Sequence, residues 1–201
     1  MRARMALLYA DVKVILREVD LRDKPSQMLQ ASPKATVPVL ILENGEVIEE
    51  SLDIINWALT KSDKDGWLCK LDEKQLQIAH NIINENDGDF KKNLDQYKYA
   101  DRFPEHSMQD SRGCGELFLA KLDALLKKHR YLLGSEISFV DVAVFPFVRQ
   151  FAHVDKAWFD ATGYAHLQQW LQQHLDSEYF KIAMKKTDKW EEASPEIMLG
   201  D

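Results

Sequence analysis

Cysteine is scarce in this chain of 201 residues: only Cys69 and Cys114 are present, with neither CxxC spacing nor a histidine in ligand register beside them. Both read as structural thiols. The histidines (His80, His106, His129, His153, His166, His174) are scattered, with no HExxH and no pair one helical turn apart, so no metal site is expected. Positive charge is in deficit. The net charge of −7 argues against a protein that grips a phosphate backbone, and no nucleic-acid partner is expected. Long apolar runs are missing too: VPVLIL at 37–42 and VAVFPFV at 142–148 are far too short to span a bilayer. No basic segment followed by an apolar one opens the chain, which predicts a cytoplasmic protein with no membrane partner.

What is present is a globular composition, 45% hydrophobic and 29% charged, in a length comfortable for two small domains. MRARMALLYA opens the chain as helix without a start signal, since no Ser, Thr, Asp or Asn cap and no Pro precede it. VKVILREVD (12–20) reads as a strand, and LRDKPSQMLQ as a short helix with Pro25 at its first turn. A strand over 39–42, an Asn-Gly hairpin in ENGE and a short strand over 47–49 follow. SLDIINWALTKS reads as a helix with Ser51 as N-cap and Leu52, Ile55 and Leu59 on one face. The polar stretch 63–72 reads as a linker, and everything after Glu73 as helix with no strand signal, over 73–99, 107–130, 138–153 and 163–188. The expected domains are therefore 1–62, a small α/β unit, and 73–201, an all-helical one.

Taken alone, the residues around these elements have modest readings. Pro38 marks a loop-to-strand junction, Lys24 a solvated surface lysine, and Ser51 a capped surface helix. Ser138 and Asp141 form an S-x-x-D capping box before an apolar run, a stability signal with no chemistry attached. The aromatics of the second half, Tyr97, Tyr99, Phe103, Trp158, Phe159 and Trp190, read as core or interface, with an acceptor pocket as the competing reading.

Together, TVPVL (36–40), EESLDIINWAL (49–59) and ISFVDVAVFPF (137–147) resemble the glutathione S-transferase family. The resemblance implies a thioredoxin-like N-terminal domain that holds glutathione, an all-α C-terminal domain, and a homodimer. It implies a cis bond before Pro38 and backbone pairing of Val37 with the cysteinyl part of glutathione. By the same resemblance Ser51 and its neighbouring amides meet the γ-glutamyl carboxylate, Glu50 the ammonium, and Lys24 the glycine carboxylate, with Lys34 a second candidate for that carboxylate. The opening, MRARMALLYADVKVILREVDLRDKP, is similar to the helix, strand and loop that follow the active-site turn in the cysteine-type, omega-like branch. In that branch a strand precedes the helix and lies between the strands at 12–20 and 39–42. Neither that strand nor a nucleophile is found here, so an N-terminally incomplete thioredoxin-like domain is expected and no catalytic residue is assigned. The implied function is glutathione binding for thiol transfer, reduction or conjugation to a small electrophile or disulfide. A non-catalytic binding module with this fold is the alternative. Peroxidase-like and isomerase activities are not separable from these by sequence.

Overall fold

The computed structural model describes residues 1–201, which form two units: Met1–Asp65 together with Ser177–Asp201, and Gly66–Asp176.

In the first unit, helix α1 (Arg2–Tyr9) packs on α3 (Ser51–Lys61). Ala6, Ile55 and Ala58 are fully buried in this layer, the small alanines allowing close approach of the helices. Tyr9, also fully buried, donates its phenol to Asp63 Oδ1 (3.0 Å) and accepts the Asp65 N–H (2.7 Å). The chain beyond α3 is thereby tied back to α1. Helix α2 (Ser26–Ala31) follows Pro25, which stands at its N-cap.

The strands are much shorter than the sequence predicts. β2 (Leu40–Ile41) and β3 (Val47–Ile48) form an antiparallel hairpin with Leu40 opposite Ile48. Asn44 and Gly45 make the expected turn, Asn44 Oδ1 accepting the Glu46 N–H at 3.0 Å and Gly45 taking φ +85°. β1 (Ile15–Leu16) does not join this hairpin. It pairs antiparallel with β4 (Ile197–Met198), a strand in a region read from sequence as wholly helical. Val14 accepts the Leu199 N–H (3.0 Å) and Glu18 accepts the Trp190 N–H (2.8 Å), so the C-terminal tail runs along the edge that residues 14, 16 and 18 share. Ile15 and Ile41, one in each two-stranded sheet, are 44% and 55% exposed.

The tail also changes the domain division. The sequence places residues 73–201 in one helical unit, whereas α10 (Glu178–Ala183) packs on α1 and the residues after it pair with β1. Arg17 lies 4.5 Å over the Trp190 ring, and Lys189 makes a 2.5 Å ion pair with Asp23.

The second unit is helical: α4 (Glu73–Glu85), α5 (Lys91–Lys98), α6 (Met108–Leu126), α7 (Phe139–Ala152), α8 (Lys156–Ala161) and α9 (Ala165–Asp176). A π-helical turn over Asn86–Phe90, with Gly88 inside it, joins α4 to α5 where the sequence reads one helix. Gly113 and Gly115 leave α6 unbroken. Gly115 faces Phe151, to which a Cβ would come within 2.4 Å, so a side-chain-free position lets that ring lie against α6. α7 is the core helix, buried from Phe139 through Pro146. At its start Ser138 and Asp141 form the expected capping box. Asp141 also accepts the Leu132 N–H (3.0 Å) and Trp170 Nε1–H (2.9 Å), binding three segments at one fully buried carboxylate.

The expected linker is more ordered than a linker. Gly66 turns with φ +78°, and Trp67 is buried, its carbonyl accepting the N–H of Phe139 at 3.1 Å. No helix is long and apolar enough to cross a membrane.

Candidate functional site

The loop before β2 enters the strand through a cis Val37–Pro38 bond, the isomer that the resemblance implies. Val37 is 46% exposed, and its backbone N–H and C=O make no bond within the chain. A free, exposed backbone of this kind can pair with a peptide laid alongside it.

Glu50 and Ser51 stand at the start of α3, which begins one residue earlier than in the sequence reading, where Ser51 is the N-cap. Glu50 is the N-cap, with φ −95° and ψ 138°, and Ser51 is the first helical residue. No side chain caps the helix, so the N–H groups of Ser51, Leu52 and Asp53 have no partner in the chain. The positive end of a helix of 11 residues is therefore open to an anion. The side chain of the N-cap Glu50 does not bond the helix amides. It turns to Lys34, whose ammonium donates to Glu50 Oε1 at 3.2 Å and lies 3.5 Å from Glu49 Oε2.

Glu49 is held from a second side by the Ser32 hydroxyl, which donates to its Oε1 at 2.5 Å. The Ser32 bond, followed by the nearby Lys34 charge, lowers the Glu49 pKa, and the bond to Glu50 is the foremost cause of a raised Lys34 pKa. Lys34, Glu49, Glu50 and Ser32 thus form one cluster between the Val37 loop and the start of α3. Lys24 stands apart from it. Half-buried, it makes no hydrogen bond or ion pair, while its neighbour Asp23 holds Lys189. Ser32 and Glu49 are the residues that sequence reasoning missed. The only trace was the opposite charge of S-P-K and E-E, which sit on segments that nothing in a linear pattern brings together.

Chemically, the cluster offers an exposed, unpaired backbone, an open helix start and a carboxylate, a set suited to a zwitterionic peptide end. It holds no thiol. Both cysteines lie in Gly66–Asp176 and are exposed. Tyr9, the tyrosine of α1, is pushed up to about 12, foremost by burial, which is the opposite of an activated phenol. No group of three or more His, Cys, Asp or Glu residues could hold a metal ion. Of the aromatics considered for an acceptor pocket, Tyr97 and Phe159 are buried in the helical core and Trp190 is committed to Arg17 in the tail.

Residues 1–65 match the model of the glutathione S-transferase N-terminal domain, and residues 107–173 that of the C-terminal domain. Among solved structures, a glutathione transferase from Methylococcus capsulatus is similar, with 19% identity and a TM-score of 0.77, covering 92% of this chain and 91% of that one. A delta-class glutathione transferase from Nilaparvata lugens gives 19% identity and a TM-score of 0.74, covering 92% and 89%. A glutathione S-transferase-I bound with lactoylglutathione gives 17% identity and a TM-score of 0.71, covering 90% and 91%. These likenesses extend across both units, and the two domain models fall on the α/β half and the helical half in the order the fold displays. The chain belongs to the glutathione S-transferase family.

Proposed function

We propose that this protein binds glutathione at the Val37, Glu50 and Ser51 cluster and serves thiol transfer, reduction or conjugation to a small electrophile or disulfide. The observation that carries this reading is the pairing of a free Val37 backbone beside a cis proline with the uncapped start of α3. In this reading Val37 pairs with the cysteinyl backbone, the α3 amides and Ser51 take the γ-glutamyl carboxylate, and Glu50 takes the ammonium. Lys24, a cation without an ion pair on the preceding loop, takes the glycine carboxylate. Family membership and a relative whose structure holds lactoylglutathione support glutathione as the ligand.

The test is retention on immobilised glutathione. The wild-type chain should bind and elute with free glutathione, and a variant with Glu50→Ala and Ser51→Ala should pass through. Equal retention of both would overturn the site.

A second reading is a non-catalytic module that binds glutathione without turning it over. Placement in the cysteine-type branch, with its first strand and thiol upstream of α1, is the competing proposal. Intact mass of the natural protein together with a glutathione-dependent thiol-reductase assay separates the two. A homodimer is proposed on family resemblance and a cytoplasmic location on the sequence reading, and molar mass by light scattering checks the first.

A further inference from the structure

The cation at Glu50 in this structure is the chain's own. Lys34 Nζ lies 3.2 Å from Glu50 Oε1, within donating distance, at the carboxylate that the proposed function gives to the ammonium of a γ-glutamyl group. Glu49 lies 3.5 Å from the same Nζ through its Oε2 and is anchored by Ser32, so Lys34 has a second, fixed partner to fall back on.

We infer that Lys34 is a built-in competitor at the ammonium subsite: it occupies Glu50 in the free protein, moves onto Glu49 when a ligand ammonium arrives, and thereby sets the selectivity for ligands that carry that charge. This inference rests on the glutathione reading of the site.

Three features support it. First, the geometry is bidirectional. One lysine spans two adjacent carboxylates, so releasing Glu50 does not strand its charge in solvent. Second, the pair is solvent-accessible, with Lys34 and Glu50 side chains 56% and 62% exposed. Exchange of partner therefore involves neither burial nor unfolding, and an exposed ion pair is weak enough to be displaced. Third, Lys34 lies four residues from the cis Pro38 on the loop that would face the ligand, so the competing cation and the free Val37 backbone belong to one short segment.

The consequence is a selectivity that differs from that of an unguarded carboxylate. A ligand with the γ-glutamyl ammonium gains Glu50 only after displacing Lys34. A ligand without it leaves Lys34 in place and loses little. The chain thus discriminates less between the two than Glu50 alone would.

The test is isothermal titration of the full chain with reduced glutathione and with its desamino analogue, glutaryl-cysteinyl-glycine, which lacks only the ammonium. Wild type, Lys34→Met, Glu50→Gln and the double variant are compared. Lys34→Met should bind glutathione roughly two- to five-fold more tightly, the range expected for loss of one exposed competing pair, with the analogue unchanged. In the Glu50→Gln background Lys34→Met should change neither ligand, because the contested carboxylate is gone. Equal weakening of both ligands by Lys34→Met would overturn the inference and make Lys34 a contact for a ligand carboxylate. Unchanged glutathione affinity in Lys34→Met would overturn it as well. If no variant binds glutathione at all, the reading of the site fails along with it, an outcome distinct from binding that ignores Lys34.

Discussion

Arg17 lies over the indole of Trp190, its guanidinium carbon 4.5 Å from the ring centre, and so fastens β1 to a tail from the far end of the chain. The Leu199 N–H reaches the Val14 carbonyl on the same edge, and Leu199 is buried. The tail is therefore part of the first unit's core rather than an appendage.

Ending the chain at Met184 should destabilise that unit by about 2–4 kcal/mol, from a few ladder bonds and one buried leucine. Urea unfolding followed by circular dichroism measures this. A midpoint equal to that of the full chain would show that the tail is decorative.

Gly115→Val should destabilise the helical unit by about 1–3 kcal/mol, since the new side chain meets the Phe151 ring where even a Cβ would lie at 2.4 Å. Gly113→Ala, at an open position on the same helix, should be neutral or slightly stabilising. Thermal melts of the two variants side by side check the contrast, and it fails if they shift together.

Asp141→Ala should cost about 3–5 kcal/mol, because it leaves the buried Leu132 and Ser138 amides and the Trp170 indole N–H without an acceptor. Ser138→Ala removes one donor to the same carboxylate and one cap, and should cost about 1 kcal/mol. Chemical denaturation gives both values, and the reverse ranking would contradict the network.

His174 predicts an acid limit to stability. Burial among Tyr131, Phe145 and Trp170 lowers its pKa from 6.5 to about 3, so the folded chain keeps it neutral. Below about 6.5 the unfolded chain takes up a proton that the folded one does not, so stability falls with acidification towards pH 3, at up to about 1.4 kcal/mol per pH unit from this group. His174→Phe should flatten that part of the profile. A pH series of unfolding free energies with an unchanged slope would assign the acid sensitivity elsewhere.

Much of the architecture was legible in advance because its signals are local. The apolar periodicity around Leu52, Ile55 and Leu59, the turn at Asn44 and Gly45, and the Ser138–Asp141 box each act within a few residues. β4 was not legible. Ile197 and Met198 carry no alternating pattern, and only pairing with β1, nearly the full chain length away, makes them a strand. α8 was missed for a related reason: six residues are too few to display a helical period, and the Asp155 carboxylate that caps it, accepting the Trp158 N–H at 2.9 Å, gives a faint cue. At the candidate site, Pro38 and the start of α3 were found through motifs, but the partner of Glu50 was not, because the pairing of Lys34 with it depends on how two loops meet.

The position of β4 has a consequence for refolding. Residues 66–176 are contiguous and their contacts close within one stretch of chain, whereas pairing β1 with β4 joins residues 15–16 to 197–198. Closing so long a loop costs more entropy, so the sheet of the first unit should complete after the helical unit has formed.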